Sequence, residues 1–224
     1  MVRPPTSMYT PMPYSLVIFD LDGTLVDSFP WFLRNVNAIA DRFGFHRIAE
    51  DEVEALRHAG SRELLKRLEV PLWKLPAIAR HMRRLKSEQA SEFALFDGVG
   101  AMLRSFSDAG IRMALVSSDS EANARLVLGE SAALFSDFDC SASLFGKPAK
   151  FRRILKRAGV APAQAIAIGD ETRDIEAARA AGIACGAVTW GYAAAKALRA
   201  LRPDLVFERM DDVPRALVAG LQPD

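Results

Sequence analysis

The chain alternates between short, mostly apolar runs and longer stretches in which apolar residues recur every three or four positions. The runs are Ser15 to Phe19, Ile111 to Val116, a weaker one around Phe138 to Ser141, Ala165 to Ile168 and Ala184 to Trp190, with Leu205 to Phe207 as an edge candidate. Continuous apolarity over so few residues predicts strands of a parallel sheet, buried on both faces. Between the later runs, Val99, Met102, Leu103 and Phe106 share one helical face, and so do Phe151, Ile154, Leu155 and Ala158, then Ile175, Ala178 and Ala181. Gly110, Gly159 and Gly182 follow these patterns where helix C-terminal caps belong. Strand and helix in alternation predict an α/β fold, a doubly wound parallel sheet.

Residues 28–93 break the rhythm. No strand pattern occurs there. Phe29, Phe32, Leu33, Val36, Ile39, Ala40 and Phe43 form one apolar stripe, with Ser28 at the N-cap position, Pro30 in the first turn and Gly44 after the end. Leu56, then Leu64, Leu65 and Leu68, then Ile78, Met82 and Leu85 mark three further helices. A helical block of about 65 residues is too long for a simple crossover. It is expected to be an inserted all-helical domain, with 15–27 and 94–224 as the α/β core and 1–14, rich in Pro, Ser and Thr, as a loose leader.

Composition adds limits. The 224 residues suffice for one large core and a small extra domain. A net charge of +1 gives no field for nucleic acid or an anionic membrane. No apolar run is long enough to span a bilayer, and no signal-like stretch starts the chain, so a cytoplasmic location is expected. Cys140 and Cys185 lack metal-site spacing and read as buried reduced thiols.

The polar residues that close the apolar runs carry the chemistry. Asp20-Leu21-Asp22-Gly23-Thr24-Leu25 follows the first run. Two carboxylates in one turn at a strand end suit a hard divalent cation, although a solvated acidic turn fits the pair taken alone. An EF-hand is excluded, because Leu25 and Trp31 stand where its Gly and Glu belong. No Walker loop or dinucleotide glycine fingerprint is present. The second run ends in Ser117-Ser118-Asp119, where a hydroxyl can meet an anion or Ser118 or Ser120 can cap a helix. Lys147, between Gly146 and Pro148 ahead of a helix expected near Ala149, fits either a phosphate site or a solvated surface. The fourth run ends in Gly169-Asp170-Glu171-Thr172-Arg173-Asp174, with Asp170 and Asp174 spaced to face one side of a starting helix.

Together these four segments, in this order and spacing from about Ser15 to Val188, resemble the motifs of the haloacid dehalogenase superfamily in its phosphatase branch. The overall pattern, including Trp190-Gly191-Tyr192, is most similar to phosphoglycolate phosphatases. The resemblance implies a Rossmann-like core with a helical cap and a magnesium-dependent phosphatase acting on small-molecule phosphate monoesters. It implies Asp20 as the nucleophile that becomes an aspartyl-phosphate, and Asp22 as the acid and then base. It implies Ser117, Ser118 and Lys147 as phosphate ligands. Magnesium is implied at Asp20, the Asp22 carbonyl and Asp170, with Asp174 close by. On this reading Asp22 holds a proton near neutral pH, favoured by a crowded anionic site. Its presence argues against dehalogenation, since the dehalogenases lack the second acid. The third motif departs from its relatives at Lys150, where a second proline is frequent, and the second has Ser117-Ser118 where Thr-Asn is common.

The cap is expected to select the substrate. The turn Arg57-His58-Ala59-Gly60-Ser61-Arg62 resembles the family's specificity loop, which makes Arg57, His58 and Arg62 candidates for pairing with a substrate carboxylate or, equally, members of a solvated loop. Arg80, Arg83, Arg84 and Lys86 read as a solvated basic helix face. A sugar phosphomutase shares these motifs, and a non-catalytic binding protein could share the fold. The expected assembly is a monomer or homodimer, with no nucleic-acid or membrane partner.

Overall fold

A computed structural model describes residues 14–59, 61–140 and 146–218, with the side chains of 61 and 62 excepted. Its sheet is parallel throughout, in the order β3-β2-β1-β4-β5-β6. The strands are β1 (Leu16–Phe19), β2 (Arg112–Ser117), β3 (Asp137–Cys140), β4 (Ala165–Gly169), β5 (Ala184–Val188) and β6 (Leu205–Phe207). Each expected run is a strand, and β6 is an edge. Ser141, the expected end of the third run, lies outside the described residues.

Successive residues of β1 show why these runs are apolar throughout. Leu16 and Ile18 pack on one face against α7 (Lys147–Ala158), α8 (Thr172–Ala181) and α9 (Ala195–Ala200). Val17 and Phe19 pack on the other against α5 (Val99–Asp108), α6 (Glu121–Leu128) and α10 (Asp212–Leu217). A strand with helices on both sides has no polar face to show. Of the expected leader, residues 1–13 lie outside the described residues, whereas Tyr14 is buried in this core. Cys185 is buried and Cys140 half-buried, both without a disulfide.

Among the described residues of 28–93 run four α-helices, α1 (Phe29–Phe43), α2 (Val53–Arg57), α3 (Ser61–Arg67) and α4 (Leu75–Glu88). They share an apolar cluster of their own, centred on Val36, Ile39, Ile48, Leu68, Val70 and Ile78. The chain leaves and re-enters the sheet layer side by side: Asp27 N donates to Ala94 O at 3.0 Å and Phe96 N to Leu25 O at 3.0 Å. Ser28 stands at the N-cap of α1, but its side chain makes no cap bond; its hydroxyl shares a 3.0 Å hydrogen bond with the Tyr192 hydroxyl. The α1 terminus is thus fixed to the core. Among the described residues no helix is long and apolar enough to cross a membrane.

Candidate active site

The strand order reverses between β1 and β4, and ligands in open α/β sheets gather beyond the carboxyl ends of strands at such a point. Asp20 follows β1, Ser117 ends β2 and Asp170 follows β4, so three adjacent strands deliver them to one place. Oxygen atoms of Asp20, Asp170 and Asp174, all three residues buried, lie within 4.8 Å of one another.

Lys147 is the cation that bridges two of them, Asp20 and Asp174. It is 3% exposed, which excludes the surface role. Its Nζ is 2.6 Å from Asp20 Oδ2 and also donates to Asp174 Oδ1. Helix α7 begins at Lys147 itself, two residues before the expected start, and this places the side chain over the strand ends. Burial lowers the lysine's proton affinity, but Asp174 and Asp20 outweigh it and hold the amine charged. Asp174 is occupied on both oxygens, since Oδ2 accepts the Glu171 amide at 3.0 Å.

Asp170 is fully buried. Its Oδ1 accepts from the Thr24 hydroxyl at 2.9 Å and its Oδ2 from the Tyr192 amide at 2.8 Å. Two glycines let the backbone come this close. A Cβ on Gly23, whose φ is +76°, would lie 2.2 Å from Asp170 Oδ2, and one on Gly191 would lie 2.3 Å from Asp170 Cβ. Burial, then Glu171, Asp20 and Asp174, push the Asp170 carboxyl well above its usual range. Burial and Asp174 push Asp20 up as well, against the pull of Lys147. The cluster therefore holds more negative charge than its lysine offsets. Hard oxygen donors with that surplus fit a divalent cation.

Asp22 departs from expectation. Burial would raise its carboxyl, but the Lys86 ammonium, with hydrogen bonds from Lys86 and Ser28, brings it below the usual range. Lys86 Nζ is 2.5 Å from Asp22 Oδ1 and 2.8 Å from Asp119 Oδ2. This corrects two readings: the crowded site does not by itself keep Asp22 protonated, and Lys86 is no part of a solvated face. It is 6% exposed. On α4 it stands one turn beyond Met82 and two beyond Ile78, on the apolar stripe, which is the signal the sequence offered. Arg80 and Arg84 are exposed as expected, while Arg83 is half-buried.

Ser117 is buried, with its Oγ accepting the Asp119 amide at 3.0 Å. Ser118 is half-buried, and Ser120, the alternative cap, accepts the Asn123 amide at 3.2 Å at the start of α6. Lys150, at the departure from the family pattern, is buried and donates to the Ser117 carbonyl at 2.5 Å. Burial brings its amine down to about 8. Asp119, Lys150 and Arg173, whose guanidinium pairs with Glu171, had no role assigned from the sequence.

The specificity-loop candidates divide. Arg57 donates to the carbonyls of Gly191 at 3.0 Å and Tyr192 at 3.1 Å, and its guanidinium lies 5.4 Å from the centre of the Phe29 ring. It joins the helical block to the loop after β5. His58 is exposed beside Glu54 and does not face the cavity above the site. The Arg62 side chain lies outside the described residues.

Carboxylates, a lysine and serines gathered at the ends of adjacent parallel strands make an enzyme site suited to an anionic substrate. The family model for haloacid dehalogenase-like hydrolases matches residues 17–188. A phosphoglycolate phosphatase of Synechococcus elongatus is 32% identical over 203 residues, covering 90% of this chain and 96% of the relative. One of Xanthomonas campestris is 35% identical over 187 residues, covering 79% and 83%. A solved Lactobacillus plantarum protein shares the fold with a TM-score of 0.79 at 17% identity, covering 92% of this chain and all of that one. The chain belongs to the haloacid dehalogenase-like hydrolase family. It is an enzyme, a hydrolase of phosphoric monoester bonds.

Titrating magnesium into the metal-free protein is expected to raise its melting midpoint, with about 2.7 kcal/mol of stabilisation at a hundredfold excess over Kd. Gly191→Ala, which displaces Asp170, is expected to remove most of that rise; a scanning fluorimetry series on both proteins checks it.

Proposed function

We propose that the chain is a magnesium-dependent phosphatase for small-metabolite phosphate monoesters, working through an aspartyl-phosphate on Asp20. The observation that carries this reading is the buried Lys147 bridging Asp20 and Asp174 at the strand ends. Lys147 fixes the Asp20 carboxylate by Oδ2 and offers its charge to a transferring phosphoryl group. Asp20 attacks phosphorus, the bond to the alcohol oxygen breaks, and Asp22, in the protonated state that its pairing with Lys86 disfavours and a loosened pairing restores, protonates that oxygen. Asp22 then takes a proton from the water that attacks phosphorus, and the bond from phosphorus to the Asp20 oxygen breaks. Ser117 still has its hydroxyl hydrogen to give to a phosphoryl oxygen, and Ser118 lies beside it. Asp20, Asp170 and the Asp22 carbonyl, with Asp174 adjacent, would hold magnesium, which would supply the charge that lets a carboxylate approach an anionic phosphate.

Residues 28–93 act in this reading as a cap domain over the core 15–27 and 94–224. Lys86 reaches from the cap to Asp22, so cap position and the acid's proton affinity are linked. The free cysteines and the small net charge accord with a cytoplasmic enzyme, a monomer or homodimer, that meets small molecules. The Synechococcus and Xanthomonas relatives make phosphoglycolate a first substrate to test.

Asp20→Asn is expected to abolish phosphate release from an aryl phosphate with magnesium present, while the circular dichroism spectrum stays that of the native protein. Unchanged turnover would contradict the nucleophile assignment. Lys86→Met removes the cation that draws Asp22 down. The Asp22 carboxyl then rises and keeps its proton to higher pH, so the alkaline limb of the kcat/KM profile moves up. An unmoved limb would separate Lys86 from the acid.

A further inference from the structure

The cavity above Asp22 has a volume of about 300 Å³. Asp22, Ser118, Lys86 and Arg173 face it at one end. Elsewhere its wall is mainly apolar and comes from α1 to α4, including Phe32, Val36, Leu56, Leu65, Ile78 and Met82. Protein interiors seldom leave voids larger than a water molecule. This helical block leaves such a space: of those six residues only Val36 and Ile78 are fully buried, while the other four stay partly open. The void is continuous with the acid that acts on the leaving oxygen, so it lies on the leaving-group side of the reaction.

We infer that the ester's leaving group is an apolar alcohol, alkyl or aryl, seated in this cavity with its phosphoryl group at Asp20. An apolar cavity of about 150 Å³ holds benzene, so twice that volume takes up to about ten carbon atoms. The inference rests on the phosphatase reading above and names its substrate class. Among the described residues, three of the cations that line it are engaged: Arg57 donates to the Gly191 and Tyr192 carbonyls, Lys86 is paired with Asp22 and Asp119, and Arg173 pairs with Glu171. Arg83, which also lines the cavity, and the buried Arg173 Nε, which bonds to no protein atom, are the features that favour an anionic alcohol instead. Including 2-phosphoglycolate among the substrates decides between the two.

The test assays the full chain with magnesium on n-alkyl phosphates from methyl to decyl, phenyl phosphate and 2-phosphoglycolate. The expected result is a rise in kcat/KM of about fourfold per added methylene, levelling once the chain fills the cavity. Met82→Trp, which narrows the space, is expected to bring the levelling to shorter chains; the native series decides the question even if that variant does not fold. A series flat or falling with length, or a preference for phosphoglycolate over the longer alkyl esters, overturns the inference and leaves the phosphatase reading standing. Turnover of no ester at all overturns the phosphatase reading and the inference with it.

Discussion

Three clustered buried carboxylates, two of them paired with one ammonium, set the terms for this molecule. Asp20, Asp170 and Asp174 lie where water cannot screen them, and Lys147 offsets only part of their charge. Removing one partner of a buried ion pair typically costs about 3–5 kcal/mol, because the other charge is left behind uncompensated. The arrangement persists because the sheet over-determines it. Three neighbouring strands end within two residues of one another in register, α7 begins at the lysine, and Gly23 and Gly191 admit the backbone against Asp170. In the proposed mechanism that surplus charge gives the site an affinity for a cation and, with that cation, for a phosphoryl group.

The same electrostatics tie the helical block to the core. Lys86 completes a second charged set with the half-buried Asp22 and the buried Asp119, and Arg57 and Ser28 hold the loop at Gly191 and Tyr192. That loop also donates the Tyr192 amide to Asp170. Cap contacts and the carboxylate cluster therefore share one short segment. In the proposed mechanism a movement of the cap would alter the acid's proton affinity through Lys86 and the setting of Asp170 through residues 191–192.

The sheet was legible in the sequence because strands covered on both faces must be apolar along their buried length, as β1 and β4 are. The helical insertion was legible because a pattern of threes and fours ran across 28–93 without a strand. Asp20, Asp170 and Asp174 could be singled out because each stands just past an apolar run. Lys86 could not be recognised by its type, since lysines are usually solvated; only its place on the stripe of Ile78 and Met82 marked it. Arg57 drew notice as a charge in a loop, but its partners are backbone carbonyls 134 and 135 residues away, which no local pattern encodes. The cavity is likewise a property of how four helices fail to close on one another, not of any one of them.

The central claim is that this crowded cluster makes Asp20 a nucleophile toward phosphorus. Rapid acid quenching during turnover, followed by peptide mass analysis, tests it most directly. One phosphoryl group is expected on the peptide containing Asp20, located on that aspartate and released by hydroxylamine. Steady turnover with no such adduct, or a phosphoryl group on another residue, would contradict it.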